Sequence, residues 1–198
     1  MTRFVEPITL TGAIVTLEPL ERRHEDALRA AANDGEVWRL WFTSVPPPDA
    51  VADYIGAALA MRENKGAMPL VVRENASGDV VGCTRYFNVE PEHRRLEIGY
   101  TWYAKRVQRT AVNTECKLLM LSHAFETLKC IAVEFRTSWF NHRSREAIVR
   151  LGARQDGVLR NHQITPDGTY RDTVVFSIIE NEWPAVKRHL RFELERPR

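Results

Sequence analysis

A short basic segment leads directly into an apolar helix and could bind an anion. It carries Lys105, Arg106 and Arg109, and the apolar periodicity of a helix begins near Val112. The first amides of a helix have no partner within it, and the helix dipole places about half a positive charge at this end. Because Ala111 is small, an anion can approach these amides closely. The alternative is an ordinary strand–helix connection with solvated cations.

A glutamate in an alternating segment could transfer protons. Glu97 lies in LEIGYTWY (96–103), so its side chain is predicted on the face opposite Leu96, Ile98 and Tyr100. A carboxylate can accept a proton from a reacting group, directly or through a water. Glu97 is therefore a candidate general base.

Two alternatives to this assignment come from other charged residues. Glu97 could be a surface residue that pairs with Arg85 or Arg95. Asp172 could be the base instead, although Arg171 beside it indicates a structural ion pair. The sequence leaves both alternatives open.

A second polar pair stands at the start of another predicted helix. Asn141 and Ser144 are three residues apart, so they share one face of that helix. Asparagine is also a common helix-capping residue. The pair could therefore contact a ligand, or it could only cap the helix.

Apolar periodicity and turn residues predict the elements that position these groups within one domain, residues 1–198. Helices are predicted at 21–34, 49–64 (capped by Asp49), 112–129 and 141–153. Strands are predicted at about 13–18, 67–75, 79–89, 94–104 and 130–139, with two more within 157–179. The order βααβββαβαββ mixes antiparallel hairpins with β-α-β units, which predicts an α+β fold with one mixed sheet and helices on both faces.

Composition and charge restrict the function classes. The 198 residues are 44% hydrophobic and 27% charged, and the net charge is +2, so bulk charge argues for neither a nucleic-acid nor a membrane partner. The cysteines, Cys83, Cys116 and Cys130, form no CxxC pair and are predicted to be reduced thiols without a metal. No apolar run reaches the roughly 18 residues of a membrane span, and no signal peptide is recognisable, so a cytoplasmic protein is expected.

Four motifs together resemble a known family. QRTAVN (108–113) is similar to Q/R-x-x-G-x-G/A, LEIGYTWY (96–103) to the strand before it, and NHRS (141–144) with LGA (151–153) to an N-x-x-S…LG(F/A) helix. In this order, these are identified as motifs of the GNAT superfamily of N-acetyltransferases. The tail, residues 157–184, resembles the RimJ/RimL-like branch, which acetylates protein N-termini and small amines.

The resemblance implies a GNAT-like fold with a central mixed, mostly antiparallel sheet. It implies an acetyltransferase that moves an acetyl group from acetyl-CoA, its co-substrate, to a primary amine by direct attack in a ternary complex. The acceptor would be a protein N-terminus or a small-molecule amine. No metal, nucleic acid or membrane is implied, and the protein would be a monomer or a homodimer.

The resemblance also assigns roles to residues. Glu97 would line the acceptor groove as the base, Ser144 would protonate the leaving thiolate, and backbone amides near Gly99 and Tyr100 would polarise the carbonyl. Because glycine within a strand often marks a β-bulge, Gly99 also predicts a bulge there. Residues expected to bind coenzyme A, in part through backbone amides, are Tyr100, Trp102, Gln108, Arg109, Thr110, Ala111, Val112, Asn113, Thr114 and Asn141. Ala111 and Asn113 replace the glycine and the glycine or alanine that are usual in the family.

Other functions remain open at this point. The two replaced loop residues keep a non-catalytic acyl-CoA-binding sensor with a GNAT fold under consideration. A nucleic-acid-binding protein that uses the cations of 104–109 is a further alternative. Residues that could line the acceptor site, or simply belong to the core, are Trp38, Trp41, Phe42, Arg85, Tyr86, His162 and Arg171.

Overall fold

A computed structural model describes residues 3–43 and 45–196 of the chain. Its strands are β1 (Leu10–Thr11), β2 (Val15–Pro19), β3 (Met68–Glu74), β4 (Val80–Glu90), β5 (Arg95–Tyr103), β6 (Ala132–Ser138), β7 (Arg154–Ile164) and β8 (Tyr170–Ile179). Its α-helices are α1 (Glu25–Asn33), α2 (Val51–Lys65), α3 (Val112–Ser122), α4 (His142–Arg150) and α5 (Trp183–Glu195). A π-helical turn, His123–Thr127, extends α3.

The strands form one eight-stranded sheet in the order β1-β2-β3-β4-β5-β6-β8-β7. Neighbouring strands are antiparallel except β5 and β6, which are parallel. Successive residues of β4 contact helices on opposite faces: Arg85 contacts Met61 of α2, whereas the Tyr86 hydroxyl donates to the Met120 carbonyl of α3. The predicted mixed, mostly antiparallel sheet with helices on both faces is confirmed.

Several boundaries differ from the predicted ones. The second helix begins at Val51, because Pro48–Ala50 forms a 3-10 turn, and no side chain caps it, so the predicted cap at Asp49 is wrong. The two-residue β1 was not predicted, nor was α5. Trp183, Val186 and Leu190 of α5 are buried, and their spacing of three and four residues is a helical signal that the sequence does contain.

A buried carboxylate fixes the start of α3 relative to the sheet. Glu115, in the first turn of the helix, accepts hydrogen bonds from the backbone amides of Ala13, Ile14 and Val15 at 3.0, 2.7 and 2.7 Å. These bonds satisfy the Glu115 carboxylate, which is 7% exposed, and the buried amide of Val15. The N-terminus of α3 is therefore held in place by a contact about one hundred residues away in sequence.

Candidate active site

The parallel strands β5 and β6 separate after a short seam. They pair only from Arg95–Glu97 to Ala132–Glu134, although both strands continue further. Since parallel strands end at the same edge of a sheet, the loops that follow β5 and β6 lie beyond neighbouring strand ends. The first loop leads into α3 and the second into α4, so the two predicted binding segments start at the same edge.

The start of α3 presents backbone donors, as the sequence predicted. The amide of Val112 donates to Thr110 Oγ1 at 3.3 Å, and that of Glu115 donates to the Ala111 carbonyl. Within residues 3–43 and 45–196, the amides of Ala111, Asn113 and Thr114 have no hydrogen-bond partner. Three free amides at one helix end can together hold an anion.

The three cations before α3 do not act together. Arg106 is directed away from the helix start, with ion pairs to Asp34 and Asp79 at 3.9 and 2.8 Å. Arg109 is exposed and adopts a left-handed backbone conformation, with φ of 63°. The Gln108 side chain turns back and donates to the Tyr103 carbonyl at 3.0 Å. Arg109, which directly precedes Thr110 and Ala111, is thus a cation of this loop that can meet an anion at the helix start.

Asn141 caps α4. Its Oδ1 accepts a hydrogen bond from the Ser144 amide at 3.1 Å, which is the usual geometry of an asparagine N-cap. The side chain of Ser144 is partly exposed in the first turn. The capping interpretation of Asn141 is therefore confirmed, and its side-chain amide nitrogen remains available as a donor.

A β-bulge interrupts β5 next to the seam. Arg85 pairs with Gly99 and Cys83 pairs with Trp102, so Thr84 alone lies opposite two residues, Tyr100 and Thr101. Tyr100 has a φ of 50°, a conformation that costs a residue with a side chain on the order of 1–3 kcal/mol. Such conformations are concentrated at functional sites, and the predicted bulge near Gly99 lies one residue further along the strand.

The bulge places Tyr100 on the face of Glu97, not on the face of Leu96 and Ile98 as the alternation predicted. The Tyr100 ring packs edge-on against Phe87, which pairs with Glu97, and its centroid is 3.9 Å from the Arg85 guanidinium. The prediction was wrong because one inserted residue reverses the alternation of side chains beyond it. Glu97 and Tyr100 consequently lie on the same face of the sheet.

Glu97 is buried and bonded, not a surface residue. Its exposed fraction is 4%, its Oε2 accepts a hydrogen bond from Asn88 Nδ2 at 2.9 Å, and Arg136 Nε lies 3.5 Å from the same oxygen. Arg136 also donates to Glu134 at 2.9 Å. The alternative of a surface pair with Arg85 or Arg95 is therefore wrong.

Burial raises the pKa of Glu97 to about 7, although the Asn88 hydrogen bond and the charge of Arg136 oppose the increase. A carboxylate with this pKa is about half ionised at neutral pH, where a general base is most effective. Asp172, by contrast, lies beside Arg160, with 2.5 Å between Arg160 Nε and Asp172 Oδ2, and accepts from the Asn161 amide at 2.8 Å. These contacts lower the pKa of Asp172, as expected of a structural ion pair.

Other predicted site residues are divided between the site and the core. Tyr86 is fully buried under α3 and cannot line an acceptor site. Trp102 is buried and its Nε1 donates to the Tyr54 hydroxyl at 3.2 Å, so only its backbone is left for a ligand. Trp41 is 62% exposed and packs on Phe140, with ring centroids 5.4 Å apart, so the core interpretation of Trp41 is wrong.

Within the described residues, no group of three or more histidine, cysteine or acidic side chains is arranged to hold a metal ion. The same part of the chain contains no helix with both the length and the apolar character that a membrane crossing requires.

The geometry matches a known family. Residues 15–154, more than half of the chain, match the Acetyltransferase (GNAT) domain. The chain belongs to the GNAT acetyltransferase family. The resemblance based on the four motifs is thereby confirmed for the family.

Individual GNAT relatives agree with this assignment. YdaF of Bacillus subtilis, named as a candidate ribosomal N-acetyltransferase, is 28% identical over 110 residues, which cover 56% of this chain and 59% of YdaF. A candidate acetyltransferase of T. thermophilus is 35% identical, with a TM-score of 0.83 and 96% and 98% of the two chains covered. RimJ of Mycobacterium smegmatis, solved with CoA-disulfide, is 20% identical, with a TM-score of 0.77 and coverage of 94% and 95%. That likeness shows a shared fold.

Proposed function

We propose that this protein is a cytoplasmic, acetyl-CoA-dependent N-acetyltransferase that acts on a primary amine, either a protein N-terminus or a small molecule. The observation that carries the proposal is Glu97, a buried carboxylate beside the strained bulge at Tyr100 and the seam where β5 and β6 separate. A sensor without turnover has no need of a buried base at this place. The attack would be direct, within a ternary complex.

The residues present fit coenzyme A. The free amides of Ala111, Asn113 and Thr114, with Arg109 beside them, form a site for its pyrophosphate. Asn141, at the next strand end, has a side-chain amide nitrogen to offer to the pantetheine arm. When bound, acetyl-CoA supplies a thioester, which an amine can attack.

Three groups of this chain would then assist acetyl transfer. Glu97, ionised above pH 7, takes the proton from the attacking amine, directly or through a water. The backbone amides at the Gly99–Tyr100 bulge donate to the carbonyl oxygen as negative charge develops on it. Ser144, which is partly exposed, passes its hydroxyl proton to the leaving thiolate and takes one from a solvent water in return.

Acetyl-CoA binding and free-thiol release test the proposal together. Acetyl-CoA at about 100 times its Kd is expected to stabilise the protein by about 2.7 kcal/mol, whereas ADP at the same concentration serves as a control that lacks the pantetheine arm. With a panel of amines and N-terminal peptides, thiol release is expected to depend on the amine. Stabilisation without thiol release would support the sensor, and no stabilisation would exclude both functions.

A further inference from the structure

Arg85 is a buried cation without an acidic partner. Its exposed fraction is 3%, and its guanidinium carbon lies 3.9 Å from the Tyr100 ring centroid and 5.3 Å from that of Tyr54. Nη1 contacts Met61 Sδ at 3.2 Å, and Nε has no hydrogen-bond partner. No carboxylate of the described residues lies within 4.0 Å. Since arginine keeps its charge in proteins, burial without a counter-ion leaves an uncompensated positive charge.

A second guanidinium belongs to β8 and lies on the face of the sheet that carries Glu97, because the register pairs Glu97 with Glu134 and Glu134 with Ser177, six residues from Arg171. Arg171 is half-buried, its Nη1 donates to Gln163 Oε1 at 3.0 Å, and its Nε is buried with no partner. Burial lowers the pKa of Arg171, and the proximity of Tyr100 and Glu97 partly offsets this effect. Arg85 and Arg171 thus lie on the same face of the sheet, each with an unused Nε donor.

The remaining charges on this face do not neutralise the two arginines. Glu134 is paired with both Arg95 and Arg136, and Glu90, which pairs with Arg95 in the sheet, also acts on Arg136. Glu97 carries only part of a negative charge at neutral pH and shares it with Arg136. The face beside the proposed base therefore has excess positive charge, which repels polycationic amines and attracts anionic groups.

We propose that the acceptor amine carries a carboxylate close to it, as a free amino acid does, or as a peptide does when an acidic residue follows its N-terminus. This inference rests on the proposed acetyl transfer and names its substrate class. Arg171, which is partly exposed, forms the direct ion pair with the carboxylate. Arg85, which Tyr100 covers, contributes through its charge alone. The same positive field lowers the pKa of the bound amine, which favours the neutral form that attacks.

Matched acceptors test this preference. Ala-Glu-Ala-amide and Ala-Gln-Ala-amide have similar α-amines and differ in one charge, and alanine with alaninamide forms a second pair, with rates corrected for the neutral fraction of each amine. We expect the acidic peptide to have a kcat/KM at least about tenfold higher, because a hydrogen-bonded charge pair is worth roughly 1.5–3 kcal/mol. The comparison of alanine with alaninamide shows whether an α-carboxylate can be recognised in place of the glutamate side chain. Equal rates within both pairs, or a preference for spermidine, would overturn the proposal and leave acetyl transfer standing.

Variants identify the residues that recognise the carboxylate of the acceptor. Arg171→Gln is expected to reduce the Glu/Gln ratio to near one, Arg171→Lys to retain part of it, and Arg85→Met to reduce it by a smaller factor. Arg188→Gln, an exposed change on α5, is the control and should keep the full ratio. An unchanged ratio in Arg171→Gln would contradict the assignment even if Arg85→Met failed to fold.

A binding measurement separates this inference from the proposed function. Calorimetry with the N-acetylated Glu and Gln peptides, in the presence of coenzyme A, reports carboxylate recognition without turnover. Tighter binding of the Glu product that requires Arg171, with no thiol release from any amine, would support the carboxylate site and reject acetyl transfer. Equal binding of the two products, or none, would reject the carboxylate site.

Discussion

Two cations are buried beside the same part of β4 and β5, on opposite faces of the sheet, and the groups that surround them differ. On the α3 face, Lys117 is 4% exposed, and its Nζ lies 2.9 Å from Thr101 Oγ1 and 3.3 Å from Thr84 Oγ1. On the α2 face, Arg85, the next residue after Thr84, lies between two tyrosine rings. Both therefore flank the bulge at Tyr100.

The difference lies in what each residue can do without an anion. Burial lowers the pKa of Lys117, and nearby Cys116 only partly offsets this, so the lysine can lose its proton and remain a hydrogen-bonded part of the core. Arginine has no such option and needs negative charge from elsewhere. We infer that Lys117 supports the bulge from the α3 face, whereas the charge of Arg85 acts on ligands that approach the opposite face.

The largest effect is expected on the Arg85 face, at Glu97. Glu97→Gln keeps the shape and removes the base, so kcat/KM should fall by about 10²-fold at pH 8. Since the pKa of Glu97 is about 7, the wild-type carboxylate is mostly protonated at pH 6, and the loss there should be much smaller. Rates of thiol release at pH 6, 7 and 8 measure this. A loss that is the same at all three values would assign the base to another group, and exposed Glu92→Gln is the control.

An intermediate effect is expected on the Lys117 face. Thr101→Val removes the hydroxyl nearest to Nζ, and the loss of this acceptor should lower the free energy of unfolding by about 1–3 kcal/mol. Thr84→Val removes the more distant hydroxyl and should cost less. In a Lys117→Met background, the cost of Thr101→Val should be smaller, because the amine is absent and only the 2.8 Å hydrogen bond between Thr101 and Thr84 is lost. Additive losses in urea denaturation would mean that the hydroxyl does not support the lysine.

The smallest effect concerns the charge of Lys117 itself. Its pKa is lower in the folded chain than the ordinary value of 10.5, so the unfolded chain binds the proton more tightly. Wild-type stability should therefore rise as the pH increases from 7 towards 10.5. Lys117→Met should lack this increment. If urea denaturation gives both proteins the same pH dependence, the lysine is not deprotonated in the folded state.

The sequence was sufficient to predict the elements that follow from a periodic residue pattern or from local turn residues. Alternation located β5, turn residues located the hairpins, and the unpartnered amides at the start of α3 follow from the chain pattern alone. The helix cap at Asn141 was also readable, since its geometry depends on residues three apart. These features are local, so a single sequence contains them.

Features that depend on contacts between residues far apart in the sequence could not be predicted from it. A bulge of one residue reversed the faces beyond Gly99 and brought Tyr100 next to Arg85; Gly99 indicated a bulge, but no local pattern shows which residue is inserted. Burial of Lys117 and Arg85 contradicts their usual preference for the surface, so composition argued against both. Only the packing of α2 and α3 on the two faces reveals these cations.

The seam between β5 and β6 also has a consequence for the mechanics of the molecule. With three residue pairs joining β1–β5 to β6–β8, the interior of the sheet contains two facing strand edges, and edges of this kind are normally confined to the outside of a protein. An extended molecule lying between them can hydrogen-bond to both and act as an additional strand. Its binding would add hydrogen bonds across the seam, and amide exchange in β6 should slow together with that in β5.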